Sequence, residues 1–302
     1  MKKFFVFWVE RYLYHPTFFD KILSFLLLPF TLLYCVVVYV KYKRATPRDF
    51  GIRVISIGNL SVGGSGKTPL VTEIAKRYNN VAIILRGYGR DSKGLIVVKD
   101  KDKLLCDVKK CGDEALVYAS KLDNAIIIVS EDRIKAIKKA KEMGASFVLL
   151  DDGYSKHNIK KLDFLIDVET SNNFCIPSGP YREKIFGSKK VYFLKENEDF
   201  IRKVTLKNPT SDMVLVTAIA KPQRLDKYLL ENSLKAKYYF EDHYNFKKED
   251  IEKIIKATNA TSLLVTLKDY VKLKQFGYKL SLLDLELEVD EKVFQIINNY
   301  IK

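Results

Sequence analysis

The residues whose types and spacing speak most directly of chemistry are Ser61 to Thr68, SVGGSGKT. They fit GxxxxGK[ST] at every defined position except the first, where Ser61 stands for glycine. The apolar run VISIG precedes them and a helical pattern follows, which is the context a phosphate-binding loop requires. Backbone N–H groups of Gly63, Gly64, Ser65 and Gly66 can curl around an anion. A helix starting near Lys67 points its positive end at it. With Ser61 and Val62 completing the loop, the expected ligand is a nucleoside triphosphate: Lys67 reaches its β- and γ-phosphates and Thr68 ligates Mg²⁺. That mechanism makes no use of the first glycine.

A second acidic site follows from FVLLDDG, Phe147 to Gly153, an apolar strand ending in Asp151 and Asp152. Ligands of open α/β sheets gather at such strand ends, and one of the two carboxylates is expected to hold Mg²⁺ directly or through water. Asp113 and Glu114 open a helix in CGDEALVYA, where the helix dipole favours acids whether or not they do chemistry. Asp242 and His243 in EDHYNF combine a carboxylate with one of only three histidines, either an acid–base pair or a solvated histidine. Arg86 of RGYGR and Arg182 of GPYRE sit in glycine-supported loops and suit phosphate contact.

Positioning these residues calls for a particular scaffold. Short Ile/Val/Leu runs alternate with helical patterns from IRVISIG to SFVLLDDG, the signature of a parallel sheet covered by helices. The expected fold class is therefore α/β, a P-loop NTPase-type doubly wound, mostly parallel sheet, with a second, smaller α/β domain and an N-terminal membrane-associated helical segment. A change of pattern near Asn208 and Pro209 divides the chain into residues 1–48, a P-loop kinase core at 49–208, and a C-terminal domain at 209–302. The runs KVTLKN and DLELEV flank the second series and can pair as a connector that returns the last helix, Glu291 to Ile301, to the core.

The N-terminus has its own character. From Ile22 to Val40 nineteen residues carry no charge, just enough to cross a hydrocarbon core of ~30 Å. Pro29 would kink a spanning helix and leaves room for an in-plane arrangement. Lys41, Lys43, Arg44 and Arg48 follow and favour the cytoplasm for everything downstream. The chain has 52 Lys and Arg against 37 Asp and Glu, a net charge of +15. Such a charge attracts polyanions: nucleic acid, an anionic membrane or a phosphorylated substrate. Nucleic acid is set aside because no DNA- or RNA-binding motif accompanies the charge. Four cysteines, at 35, 106, 111 and 175, show neither zinc spacing nor a disulfide framework and are read as reduced thiols.

Taken together, GNLSVGGSGKTPLV, LRGYGR, GDEA, EDR, LLDDG, PSGPYRE, DHYNF and TLKDYVK resemble, in order and approximate spacing from Val54 to Lys272, the tetraacyldisaccharide 4'-kinases, lipid A 4'-kinases of Gram-negative bacteria. A serine or threonine at the Ser61 position is normal there. The resemblance implies an inner-membrane enzyme facing the cytoplasm. It would move the γ-phosphate of ATP, with Mg²⁺, to the 4'-hydroxyl of a tetraacyldisaccharide 1-phosphate, giving lipid IVA. It implies a lipid substrate, an anionic leaflet as surroundings, and no nucleic acid or obligate protein partner. By similarity Asp113 is the catalytic base assisted by His243, with domain closure bringing them together. Lys67 and Thr68 keep their loop roles, Glu114 and Asp151 or Asp152 organise Mg²⁺, and Arg182 contacts phosphate. The family's DDGFQH reads DDGYSKH here, so either Lys156 stands in the histidine column or His157 fills it by a one-residue shift. The competing class is a membrane-anchored nucleotide switch acting on a protein partner. TLKD, Thr266 to Asp269, has its lysine one place late for a guanine-specific motif.

Overall fold

The structure is a computed structural model that describes residues 2–64, 66–187, 189–229 and 234–302. The chain begins with helices α1 (Lys2–Tyr14), α2 (Phe18–Leu26) and α3 (Leu28–Arg44). Then come β1 (Val54–Gly58), α4 (Lys67–Lys76), β2 (Ala82–Leu85), β3 (Ile96–Asp100), β4 (Lys103–Leu104), α5 (Val108–Cys111) and α6 (Asp113–Lys121). They continue as β5 (Ile126–Val129), α7 (Arg133–Glu142), β6 (Val148–Asp151), β7 (Leu162–Ile166), β8 (Val191–Leu194) and β9 (Phe200–Lys207). The last part holds β10 (Met213–Thr217), a 3₁₀ turn, β11 (Leu234–Tyr239), α8 (Lys248–Thr258), β12 (Ser262–Thr266), α9 (Leu267–Leu273), β13 (Leu280–Val289) and α10 (Glu291–Ile301).

Two compact units emerge, each discontinuous in sequence. The first comprises 1–67 and 152–195, the second 68–151 and 196–302. In the first, β7 pairs in parallel with β1 on one side and β8 on the other. Ile55, Ile57, Phe164 and Leu165 have no solvent exposure. Each such side chain contributes about 1.5–3 kcal/mol by leaving water. In the second unit β2 pairs in parallel with β5 and β6, while β3 lies antiparallel on β5 and carries β4. The unbroken apolar runs IIL and IIIV are those of strands covered on both faces.

The second unit also holds a smaller sheet ordered β11-β10-β12-β13-β9. Its strands are parallel except β9, which pairs antiparallel with β13 from Leu282 opposite Lys207 to Val289 opposite Phe200. KVTLKN and DLELEV are thus partners. Buried Asp284 in that ladder takes Lys121 at 2.6 Å and Lys207 at 2.5 Å. Helix α10 then packs on the residues just after α4: Arg77 bonds Glu291 at 2.6 Å, its guanidinium lies 4.0 Å over the Phe294 ring, and Tyr78 bonds Asn298 at 2.9 Å.

At the N-terminus the uncharged run divides at Leu27. No single helix among the described residues is long and apolar enough to cross a membrane; α2 and α3 together have the length and composition but bend by 60°. Pro29 lies inside the first turn of α3, where a missing N–H costs nothing. The bend therefore falls two residues before the proline, at the helix boundary.

The cysteines need one correction. Cys35 and Cys175 are free, but Cys106 and Cys111 are joined as a disulfide. The α5 turn brings their Cα atoms to 6.4 Å, within disulfide reach, a proximity that a five-residue spacing does not reveal without the turn.

Candidate active site

In the first unit the nucleotide loop is built on Asn59, the residue after β1. Its buried amide donates to the Ser61 carbonyl at 2.8 Å and to Ser61 Oγ at 3.1 Å. Its Oδ1 accepts from Lys67 Nζ at 2.9 Å and from Arg182 at 3.2 Å. Ser61 thus serves as an internal brace, which is why a hydroxyl residue suits a position usually given to glycine. The GPYRE segment lies alongside. Val62 N–H donates to the Pro180 carbonyl at 2.9 Å, and the N–H groups of Arg182 and Glu183 share the Leu60 carbonyl.

Gly63 has φ +84°, a left-handed conformation favouring glycine, and Gly66 with φ +81° leads into α4. A side chain added at Gly64 would meet nothing within 4 Å. Of the expected loop residues, Ser65 lies outside the described residues. The N-terminal helices brace this loop. Tyr14 donates its hydroxyl to the Val62 carbonyl, and Tyr34 donates to the Arg182 carbonyl at 2.9 Å.

Asp151 and Asp152 have different environments. Asp152, in the first unit, adopts φ +54° and donates its N–H to the Ile57 carbonyl at 3.0 Å. Its carboxylate binds Arg182 and lies 3.6 Å from Lys67. Burial alone would raise its pKa, but the charges of Lys67 and Arg182 outweigh burial and hold the carboxyl below the ordinary value. In the second unit Asp151 accepts from the Tyr118 hydroxyl at 2.8 Å, and its carbonyl accepts from Arg133 at 3.3 Å. Burial, then the Asp151 charge, push Tyr118 well above its ordinary pKa despite a hydrogen bond with Thr68. Thr68 and Asp151 therefore meet on one buried phenol.

The proposed metal residues offer oxygen donors only, the hard set that fits Mg²⁺. No group of three or more His, Cys, Asp or Glu side chains gathers to hold a metal among the described residues. Glu114 is engaged elsewhere, with Lys268 at 2.8 Å.

Asp113 and His243 stand together in the second unit, with both carboxylate oxygens 3.0 Å from His243 Nδ1. Asp113 is the first residue of α6, and Gly112 before it has φ +84°. A Cβ there would stand 3.1 Å from the Tyr88 carbonyl, so the turn that aims Asp113 requires glycine. His243 itself adopts φ +59°, a conformation that persists in a non-glycine residue only when its surroundings enforce it. Burial pushes Asp113 up, but the His243 hydrogen bond and the charges of Lys268, His243 and Lys272 hold it down to about 2. The Asp113 hydrogen bond in turn raises His243. Lys272 on α9 reaches Asp113 at 3.4 Å and the Tyr244 carbonyl at 3.2 Å.

Arg86 donates to the Tyr88 hydroxyl at 3.3 Å and lies over its ring. His157 rather than Lys156 takes the buried place in DDGYSKH, edge-on to Tyr42 and Tyr154, with Glu183 at 3.8 Å and Lys189 at 3.4 Å. Asn59, Tyr118, Lys268 and Lys272 escaped the motif reading. For the two lysines a signal existed: a spacing of four puts them on one helix face, as befits partners of adjacent Asp113 and Glu114.

A family model described as tetraacyldisaccharide-1-P 4'-kinase matches residues 23–209 and 194–302. Proteins named tetraacyldisaccharide 4'-kinase are similar over nearly all of the chain. That of Aliarcobacter butzleri (strain RM4018) is 48% identical, over 97% of this chain and 96% of its own. That of Helicobacter pylori (strain J99) is 47% identical, over 97% and 94%. Among solved structures, the crystal structure of an "apo" form of LpxK from Aquifex aeolicus in complex with ATP superposes with a TM-score of 0.73. It is 24% identical, over 93% of this chain and all of that one. At that identity the likeness establishes the shared α/β fold.

Proposed function

The chain belongs to the tetraacyldisaccharide-1-P 4'-kinase family, and we propose that it carries out the family's phosphoryl transfer with Asp113, His243 and Lys67 as its catalytic residues. It is an ATP-dependent lipid kinase of lipid A biosynthesis that phosphorylates the 4'-hydroxyl of tetraacyldisaccharide 1-phosphate, giving lipid IVA. The sugar oxygen forms a bond to the γ-phosphorus, the bond to the ADP oxygen breaks, and the hydroxyl proton passes to Asp113. A carboxyl held at about 2 is a weak base. It suffices where the transition state is loose and the attacking oxygen keeps its proton until late. The observation that carries this assignment is the two-oxygen approach of Asp113 to His243 Nδ1 at 3.0 Å, which fixes the carboxylate's orientation and offsets its charge.

Ser61 to Thr68 cradle the triphosphate. Lys67 and Arg182, paired with Asp152 in the structure, supply cations for phosphate oxygens. Arg86 is a further phosphate or substrate contact. Thr68, Glu114 and Asp151 or Asp152 would hold Mg²⁺, which when bound would supply charge stabilisation for the transferring group. In this reading 49–208 form the kinase core and 209–302 contribute His243.

The site of action is the bacterial inner membrane, with the catalytic residues on the cytoplasmic side, where ATP is. Phe18, Phe19, Phe25 and Leu26 are 67–79% exposed, an apolar surface suited to lipid. Lys41, Lys43, Arg44 and Arg48 add about 1 kcal/mol each at an anionic leaflet. The reading calls for no nucleic acid and no obligate protein partner. The test is transfer of label from γ-labelled ATP, with Mg²⁺ in detergent, to tetraacyldisaccharide 1-phosphate, wild type beside Asp113→Ala. Label on the lipid with wild type alone supports it. Unlabelled lipid from a wild type that still binds ATP would favour a nucleotide switch instead.

A further inference from the structure

Lys272 makes interactions that the phosphoryl-transfer chemistry does not use directly. Its side chain is 5% exposed, and its ammonium lies 3.4 Å from Asp113 Oδ2, 3.8 Å from Asp269 Oδ1 and 3.2 Å from the Tyr244 carbonyl. Phe246 covers it, with the ring 5.3 Å away. It thus touches both the carboxylate of the dyad and the backbone of the residue after the dyad's histidine.

Asp269, its neighbour one turn earlier on α9, is fully buried. It accepts from the Thr217 hydroxyl at 2.7 Å, the Ala218 N–H at 3.0 Å and the Thr266 hydroxyl at 2.7 Å. Ala218 closes the circuit, since its carbonyl takes the His243 N–H at 3.2 Å. Both halves of the Asp113–His243 pair, 130 residues apart, are therefore tied to α9. One tie runs through Lys272, the other through Asp269 and the end of β10. His243 holds a left-handed conformation, which a free loop would relax, so something must hold it there.

We propose that Lys272 is a positioning residue for the kinase reaction: it fastens the His243 loop to the start of α6 and so fixes the Asp113 carboxylate for proton transfer. The inference rests on the assignment of Asp113 as base. Lysine suits the place because a compact ammonium with three donors can serve two carboxylates and a carbonyl arranged around it. Glu114, Asp242 and Lys268 also border the pair, and Lys268 is spent on Glu114. That leaves Lys272 as the cation that reaches Asp113 and the histidine loop at once.

The experiment is steady-state kinetics of the full chain in detergent with ATP, Mg²⁺ and tetraacyldisaccharide 1-phosphate, comparing Lys272→Met, Lys272→Arg, His243→Ala and the Met/Ala double variant. Loosening a reacting group by about 1 Å costs on the order of 100-fold, so Lys272→Met should lower kcat by about that factor. KM for ATP and lipid should stay within about twofold, because ground-state binding is untouched. Lys272→Arg should recover much of the loss. In the His243→Ala background the Met substitution should cost less than about threefold, since positioning through the dyad is non-additive with losing it.

Additive losses, a rise in KM in place of the fall in kcat, or an Arg variant no better than Met would each overturn the proposal. Should Lys272→Met lose its circular-dichroism spectrum, Lys272→Gln, which keeps a donor, takes its place in the cycle. Wild-type turnover by Asp113→Ala would sink the base assignment itself. A harmless Lys272→Met beside an inactive Asp113→Ala would sink the positioning role alone.

Discussion

Two carboxylates in this molecule are clamped by cations, and the clamps differ in kind. Asp152 in the nucleotide-loop unit pairs with Lys67 and Arg182, whose side chains are 15% and 30% exposed. Asp113 in the other unit pairs with His243 and with Lys272, the latter 5% exposed and backed by a fully buried Asp269. In the proposed reading the first set is placed to exchange: an entering triphosphate would compete with Asp152 for the same two cations. The second set is tied into secondary structure from three directions, the start of α6, α9 and the end of β10. On the proposed assignments, the binding site keeps its charges transferable and the acid–base site keeps them fixed.

The largest effects should divide along that line. Asp113→Ala is expected to lower turnover about 10³-fold, within the range for losing a positioned acid–base group, with ATP affinity nearly kept. Lys67→Ala should damage both, as phosphate-label transfer and nucleotide titration would reveal. Equal loss of ATP binding in the two variants would erase the distinction. Arg182→Ala should act mainly on the binding side, raising KM for ATP about 50-fold, within the range for one charge-assisted hydrogen bond to phosphate. Smaller again, Tyr118→Phe removes the hydrogen bond to Asp151 without changing shape. Bonds to charged groups contribute about 1.5–3 kcal/mol, so urea unfolding should show a loss near 2. The Mg²⁺ requirement should shift as well, because Thr68 shares that phenol. A variant with wild-type stability and metal dependence would mean the phenol does not organise Asp151.

The same contrast explains what the sequence disclosed. The nucleotide loop is contiguous: strand, glycines, lysine and helix start lie within Val54 to Lys76, so phosphate binding can be read in one pass. The parallel sheet was legible for a similar reason, since each buried strand spells itself as Ile, Val and Leu. The dyad joins residues 130 apart. Neither residue's local pattern separates chemistry from helix capping or a surface histidine, and only the family resemblance brought them together. Ser61 looked like a departure until Asn59 was seen to hold it. Lys272 looked like any lysine on a short helix. The cysteine reading failed at Cys106 and Cys111 because proximity there depends on a single turn of α5. In the N-terminal run, composition marked an apolar segment but not the bend at Leu27, nor that Thr31 bonds Ser178 and Tyr34 reaches Arg182, partners more than 140 residues away in sequence.

The smallest effect tests whether the fixed clamp also contributes to stability. His243 has a folded pKa above its ordinary 6.5, raised first by the Asp113 hydrogen bond. Asp113 has one below its ordinary 3.8, at about 2. A raised histidine stabilises the fold fully below its unfolded value, and that stabilisation fades as pH climbs through the folded value. A lowered carboxyl stabilises above its unfolded value and loses that as pH falls toward 2. The two windows overlap between about pH 4 and 6.5, where both groups are charged in either state and the pair contributes most. Urea unfolding of wild type against His243→Ala should therefore show its greatest difference near pH 5.5, no more than about 1 kcal/mol for so partly exposed a group, and the difference should shrink toward pH 9. A gap that widens with rising pH would mean that the imidazole is held neutral, so that the dyad's charge comes from Lys268 and Lys272 and the histidine serves only to orient Asp113.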